Sequence, residues 1–175
     1  GRNRQVGSIV LADTFKDFSR VIGRIRDLLE ARPCAATEEV LGRLSEQDLS
    51  YSSFTPSTHQ PMPVSRFLPE TIAAAMMLDA SFAAELAIIS DSLRWQRSPD
   101  YTDALLGEGF CDNYGWVSLI GADGCFPGDD FELGFLLLGP NIFYPGHYHP
   151  APELYMPLTG PSHWQQGGSA FEAKD

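Results

Sequence analysis

The sequence predicts an α+β protein: a helical N-terminal unit followed by a β-domain whose short strands form a barrel or sandwich. Three observations carry that prediction. Apolar residues recur at three- and four-residue spacing through the first half of the chain, the period of a helix with one buried face. Beyond Gly107 the pattern changes to alternation, with Tyr114, Trp116, Ser118 and Ile120 two apart. Gly-rich breaks then divide the second half into short segments, as all-β domains require.

The elements follow in order. Phe15, Phe18, Ile22, Ile25 and Leu29 mark the first helix, with Asp13 or Thr14 expected as its N-cap and Pro33 as its stop. Thr37 is expected to cap a shorter helix carrying Val40, Leu41 and Leu44. Residues 48–69, rich in Ser, Thr and Pro, read as an extended connector that could fold over the barrel mouth as a lid. Pro69 then opens a long helix from Glu70 to Arg94. Its expected buried stripe is Ile72, Met76, Phe82, Leu86 and Ile89, with Met76 and Met77 as core filler. Ser98 and Pro99 open a last short helix ending at Gly107, which sets the expected boundary between residues 1–107 and 108–175. In the second part, strands are expected at residues 114–120, 131–138, 142–144, 153–157 and 162–166.

Composition narrows the function. Of 175 residues, 43% are hydrophobic and 11% aromatic, which is the composition of a chain that buries a core. The formal net charge of -11, with no basic stripe to offset it, argues against a nucleic-acid partner. No apolar run reaches the ~18 residues of a membrane span, and no signal peptide is apparent. Cys34, Cys111 and Cys125 are scattered without CxxC spacing, which fits neither a disulfide framework nor a cysteine-built zinc site. A reducing, cytoplasmic location is therefore expected.

The chemistry concentrates in one short stretch. Two of the four histidines, His147 and His149, lie two residues apart, followed by Glu153 and Tyr155. On a strand, residues two apart share a face, so two imidazoles and a carboxylate would converge on one divalent metal ion, Zn, Fe, Mn, Co or Ni. Pro150 and Pro152 stiffen the loop between them. His163 and His59 read as non-ligating, the latter exposed in the connector.

His147-x-His149-x3-Glu153-x6-Gly160 resembles the first metal-binding motif of the cupins, with the motif's leading glycine displaced. The resemblance implies a cupin, or double-stranded β-helix, barrel. The words around it, Tyr144-Pro145-Gly146 before His147, Leu154-Tyr155 after Glu153, then Leu158-Thr159-Gly160 and Trp164, closely resemble the cupin-type bacterial dimethylsulfoniopropionate (DMSP) lyases over residues 131–167. That family, found above all in marine bacteria, cleaves DMSP to dimethyl sulfide and acrylate. The resemblance implies His149, Glu153 and Tyr155 as metal ligands, with His147 ligating or approaching the substrate. It implies Tyr144 as the base, with Tyr155 as the alternative. The sulfonium of DMSP suits an aromatic wall, for which Tyr148, Trp116, Phe143 and Trp164 are the candidates. A homodimer is left open. Two other readings share the ligands: a cupin dioxygenase or isomerase acting on another small carboxylate, and a cupin that binds a small ligand without turnover. A second cupin motif, with a further ligating histidine, is expected in a segment of roughly 20–40 residues beyond Asp175, since the strands before it are too few to close a barrel.

Overall fold

The computed structural model describes residues 2–146, 150–166 and 169–173. Helix α1 spans Arg2–Glu30, α2 Ala35–Ser45, α3 Leu68–Leu78, α4 Ala80–Ile89 and α5 Asp103–Leu106. Strand β1 spans Tyr114–Ile120, β2 Leu133–Leu138, β3 Ser162–Gln166 and β4 Ser169–Ala173. The α+β class is therefore as expected. The strands described form two antiparallel pairs, β1 with β2 and β3 with β4. Among the described residues, no helix is long and apolar enough to cross a membrane.

Helix α1 begins well before the expected cap. Thr14 lies inside the helix, its hydroxyl donating to the Val10 carbonyl four residues back at 2.9 Å, so it cannot start a new one. The predicted face is buried all the same: Phe18, Val21, Ile22, Ile25, Leu28 and Leu29 join the core. In α2 the N-cap is Cys34, and Thr37 sits one turn in, accepting from the Cys34 N–H at 2.9 Å. Its role is the return bond of a capping box, not the cap itself.

The long helix expected over 70–94 is broken at Asp79. That residue adopts an extended backbone, and its carboxylate accepts from the Phe82 N–H at 2.8 Å, capping α4. The break re-aims the stripe, so Ala75 is buried while Met76 and Met77 are exposed, Met77 at 91%. The methionine pair is not core filler. Helix α4 buries Phe82, Ala83, Leu86 and Ile89 against α1, and Glu85 pairs with Arg20 across that contact at 3.3 Å. Short 3-10 turns at Pro63–Phe67 and Ser90–Ser92 bracket the hairpin. The last short helix starts at Asp103, capped by Thr102, later than Ser98 suggested.

The connector is a largely exposed strap pinned to the core at Phe54, Val64 and Leu68. Phe54 is buried and packs on Phe126 with ring centroids 5.2 Å apart. The Thr55 N–H donates to the Cys125 carbonyl at 2.8 Å, and Trp95 N–H donates to Gln60 carbonyl at 2.9 Å. One hydrophobic cluster takes residues from α1 to α4, the strap, and β1 and β2. Residues 142–144 and 153–157 are not strands but irregular chain; of their apolar side chains Met156 packs on the core, as does Leu158 just beyond, while Phe143 and Leu154 are exposed.

A candidate active site on the sheet face away from the core

The sheet has two distinct faces. A single antiparallel bridge joins Gln96 to β1, Gln96 exchanging both backbone hydrogen bonds with Trp116, at 2.8 and 2.9 Å. On the inner face lie Trp95, Gly115, Val117, Phe135 and Leu137, all part of or against the core except the glycine. Glycine is required at 115 because a Cβ there would come 2.8 Å from Val64 Cγ1. Tyr114, Trp116, Leu136 and Leu138 alternate onto the opposite face.

On that outer face Tyr114 joins a cluster of four rings. Phe110 stacks on Tyr114 at 4.9 Å between centroids, and Tyr144 lies 5.1 Å from Tyr114 and 5.7 Å from Phe110. Tyr101 closes the group, 5.5 Å from Tyr114. The Tyr144 hydroxyl is 3.0 Å from the Tyr101 hydroxyl and 3.4 Å from that of Tyr114. Three phenols therefore meet at one point.

A braced loop holds the cluster. The Asp103 carboxylate accepts from the Gly109 and Cys111 N–H groups at 2.9 and 2.8 Å, and these bonds hold its pKa below the ordinary carboxylate value. Arg97 donates to the Cys111 carbonyl at 2.7 Å. Arg66 reaches the Asp112 carbonyl and the Asn113 side chain, both at 2.8 Å. Phe110 and Tyr114 are thus fixed from three directions.

The phenols differ in setting. Burial, then the hydrogen bonds with Tyr101 and Tyr114, pushes the Tyr144 pKa well above the ordinary phenol range. Tyr114 is raised chiefly by burial, with smaller contributions from the charges of Tyr101 and Glu153. Tyr155 is pushed up to about 12 by burial, then by the Glu153 charge and their hydrogen bond. That bond runs from the Tyr155 hydroxyl to Glu153 Oε2 at 3.2 Å. Tyr155 also lies 5.3 Å from the Trp164 ring, whose Nε1–H donates to Ser162 Oγ at 2.8 Å. The charge of Glu153 acts on both Tyr155 and Tyr114, raising the pKa of each. Tyr155 lines a cavity of about 280 Å³ with Leu29, Cys34, Thr37, Leu78 and Leu158, which ties the site to the helical unit.

Of the residues predicted from the sequence, Tyr144 lies inside the phenol cluster, while Glu153, Tyr155 and Trp164 stand together. Trp116 shares the face of Tyr114. Phe143 does not form a wall: it is 76% exposed, turned out by the irregular chain that replaces its expected strand. His147, Tyr148 and His149 lie outside the described residues. His59 and His163 are exposed. Tyr101 and Tyr114 were missed as site residues. Alternation placed Tyr114 and Trp116 on one face, which was a signal for Tyr114; Tyr101, in an aperiodic loop, offered none.

Among the described residues no three His, Cys, Asp or Glu side chains converge as a metal site. Glu153 and Tyr155 present adjacent oxygens that suit a divalent cation, and the expected histidines are the undescribed ones between Gly146 and Pro150. The donor chemistry fits.

The family model for dimethylsulfoniopropionate lyase matches residues 37–175. The curated dimethylsulfoniopropionate lyase DddQ of Ruegeria pomeroyi is 31% identical over 98 residues, 56% of this chain and 45% of that protein. The chain thus spans under half the length of this relative. A solved structure described as DMSP lyases RdDddP and RnDddQII aligns at 19% identity and TM-score 0.44, over 65% of this chain and 53% of that one.

Proposed function

The chain belongs to the dimethylsulfoniopropionate lyase family, and we propose that it cleaves DMSP by β-elimination, with Tyr144 as the base. One observation carries the assignment of the base: three hydroxyls, of Tyr101, Tyr114 and Tyr144, meet on the sheet face that also carries Trp116. A buried phenol is a poor base while neutral. The substrate brings its own remedy, because a sulfonium beside the phenol favours the phenolate, and Tyr101 and Tyr114 can donate to the resulting oxyanion.

The phenolate of Tyr144 takes the proton from the carbon next to the carboxylate. The C–H electron pair becomes the new carbon–carbon double bond, the carbon–sulfur bond breaks, and dimethyl sulfide leaves with that bond's electrons. Acrylate remains. Trp116 and Trp164 would supply ring faces for the sulfonium. Glu153 and Tyr155, with His149 and His147, would hold the divalent metal within a cupin barrel. When bound, that ion would offset the negative charge that builds on the carboxylate side as the proton leaves.

The test is Tyr144→Phe against Tyr155→Phe, each assayed for dimethyl sulfide release and metal content. The proposal expects Tyr144→Phe to keep its metal and lose turnover by about 100-fold or more. Full activity in that variant would move the base to Tyr155.

A further inference from the structure

We propose that Gln96 is a substrate-binding residue whose side-chain amide donates a hydrogen bond to the carboxylate of DMSP. The inference rests on the lyase reading above for the identity of the ligand.

Gln96 Nε2 is buried and, among the described residues, has no hydrogen-bond partner. Buried donors are nearly always paired, and one left unpaired costs stability unless something else completes it. Its position on the sheet says what that is. Gln96 and Trp116 are a directly opposed antiparallel pair that exchanges both backbone bonds, so their side chains leave the sheet on the same face. That face is the one carrying Tyr114, whose hydroxyl meets Tyr144. The neighbouring Trp95 goes the other way, into the core, where it lies 3.4 Å from the position of a Cβ on Gly115. The unpaired amide therefore belongs to the face of the phenol cluster and not to the core.

An amide nitrogen donates and does not accept. DMSP has one group able to receive such a bond, its carboxylate, since a sulfonium sulfur bonded to three carbons has no use for a donor. A carboxylate has enough lone pairs to meet a metal and an amide together. Gln96 would then fix which end of the substrate faces Trp116 and which proton faces Tyr144. The sequence carries no signal for Gln96, which makes an isolated bridge within irregular chain.

Gln96→Met keeps the length of the side chain and removes the donor; Gln96→Glu keeps its shape and sets a carboxylate against a carboxylate. Both should be made in the full-length protein. Kinetics with DMSP should show KM raised by about 10-fold or more in Gln96→Met, and further in Gln96→Glu, with kcat much less affected. Calorimetric titration with acrylate should weaken in the same order. Gln96→Met should also melt at a higher temperature than wild type, because the unpaired donor is gone. A higher melting temperature with KM and acrylate affinity unchanged overturns the proposal, as does a Gln96→Met protein that fails to fold, for then the amide serves the fold alone. If wild type releases no dimethyl sulfide, the lyase reading fails by itself. The acrylate titration still decides whether Gln96 anchors a carboxylate.

Discussion

Replacing Tyr144 by Phe separates chemistry from packing because a second variant matches its structural cost. The ring contacts with Phe110, Tyr114 and Tyr101 survive the change. Among the described residues, what is lost is a hydroxyl pair at 3.0 Å with Tyr101 and a weaker one at 3.4 Å with Tyr114. Neutral hydrogen bonds contribute about 0.5–1.5 kcal/mol each, and the longer one lies beyond the usual O–H···O range. The net cost is therefore about 1 kcal/mol. For a chain of this size that lowers Tm by roughly 2–4 °C. Tyr101→Phe removes the same 3.0 Å bond and leaves the Tyr144 phenol in place. The two variants should melt within a degree or two of each other, by the same reasoning. Their turnover should differ, with Tyr144→Phe down about 100-fold or more and Tyr101→Phe down about 10-fold or less. Calorimetry and headspace dimethyl sulfide measure the two quantities. Equal turnover in both variants would show that the phenol of Tyr144 has no chemical role of its own.

Three further expectations follow from other parts of the molecule. Glu153→Ala and His149→Ala should each sharply reduce the metal content of the purified protein while the helical circular dichroism is kept; near-stoichiometric metal in both removes them from the ligand set. Asp79→Ala deletes the cap of α4 and should cost about 1 kcal/mol with turnover per folded molecule unchanged; a matching loss of activity would mean that the α3–α4 break reaches the site. Tyr155 has a folded pKa above its ordinary value of 10.0, so the folded state holds its proton more tightly. Its contribution to stability is complete below pH 10 and is lost as the pH rises towards about 12. Denaturant melts of the metal-free protein between pH 9 and pH 12 should therefore slope less steeply in Tyr155→Phe than in wild type, and identical slopes would contradict the environment assigned to that phenol.

The helical half was readable where periodicity was strong and unreadable where a single side chain decides. The stripe from Phe18 to Leu29 needed only spacing. The break at Asp79 turned on one carboxylate meeting the Phe82 N–H, inside a run of helix formers that gave no reason to stop. The exposure of Met76 and Met77 follows from that break. Alternation located β1, and the apolar run located β2 to within two residues. It failed for residues 142–144 and 153–157, where aromatic and apolar side chains favour a strand but the chain is irregular, with Met156 packed on the core and Phe143 turned out. Of the proposed site, Tyr144, Glu153, Tyr155 and Trp164 lie in one sequence motif and are legible together. Tyr101 and Gln96 come from segments with no period of their own. Only tertiary pairing brings them to the proposed site, by a phenol contact across 43 residues and an isolated β-bridge across 20.

The most direct measurement is the headspace above the purified full-length protein given DMSP. The account predicts dimethyl sulfide and acrylate released in equal amounts, abolished or cut about 100-fold by Tyr144→Phe. No dimethyl sulfide above the blank from folded, metal-loaded protein would contradict it.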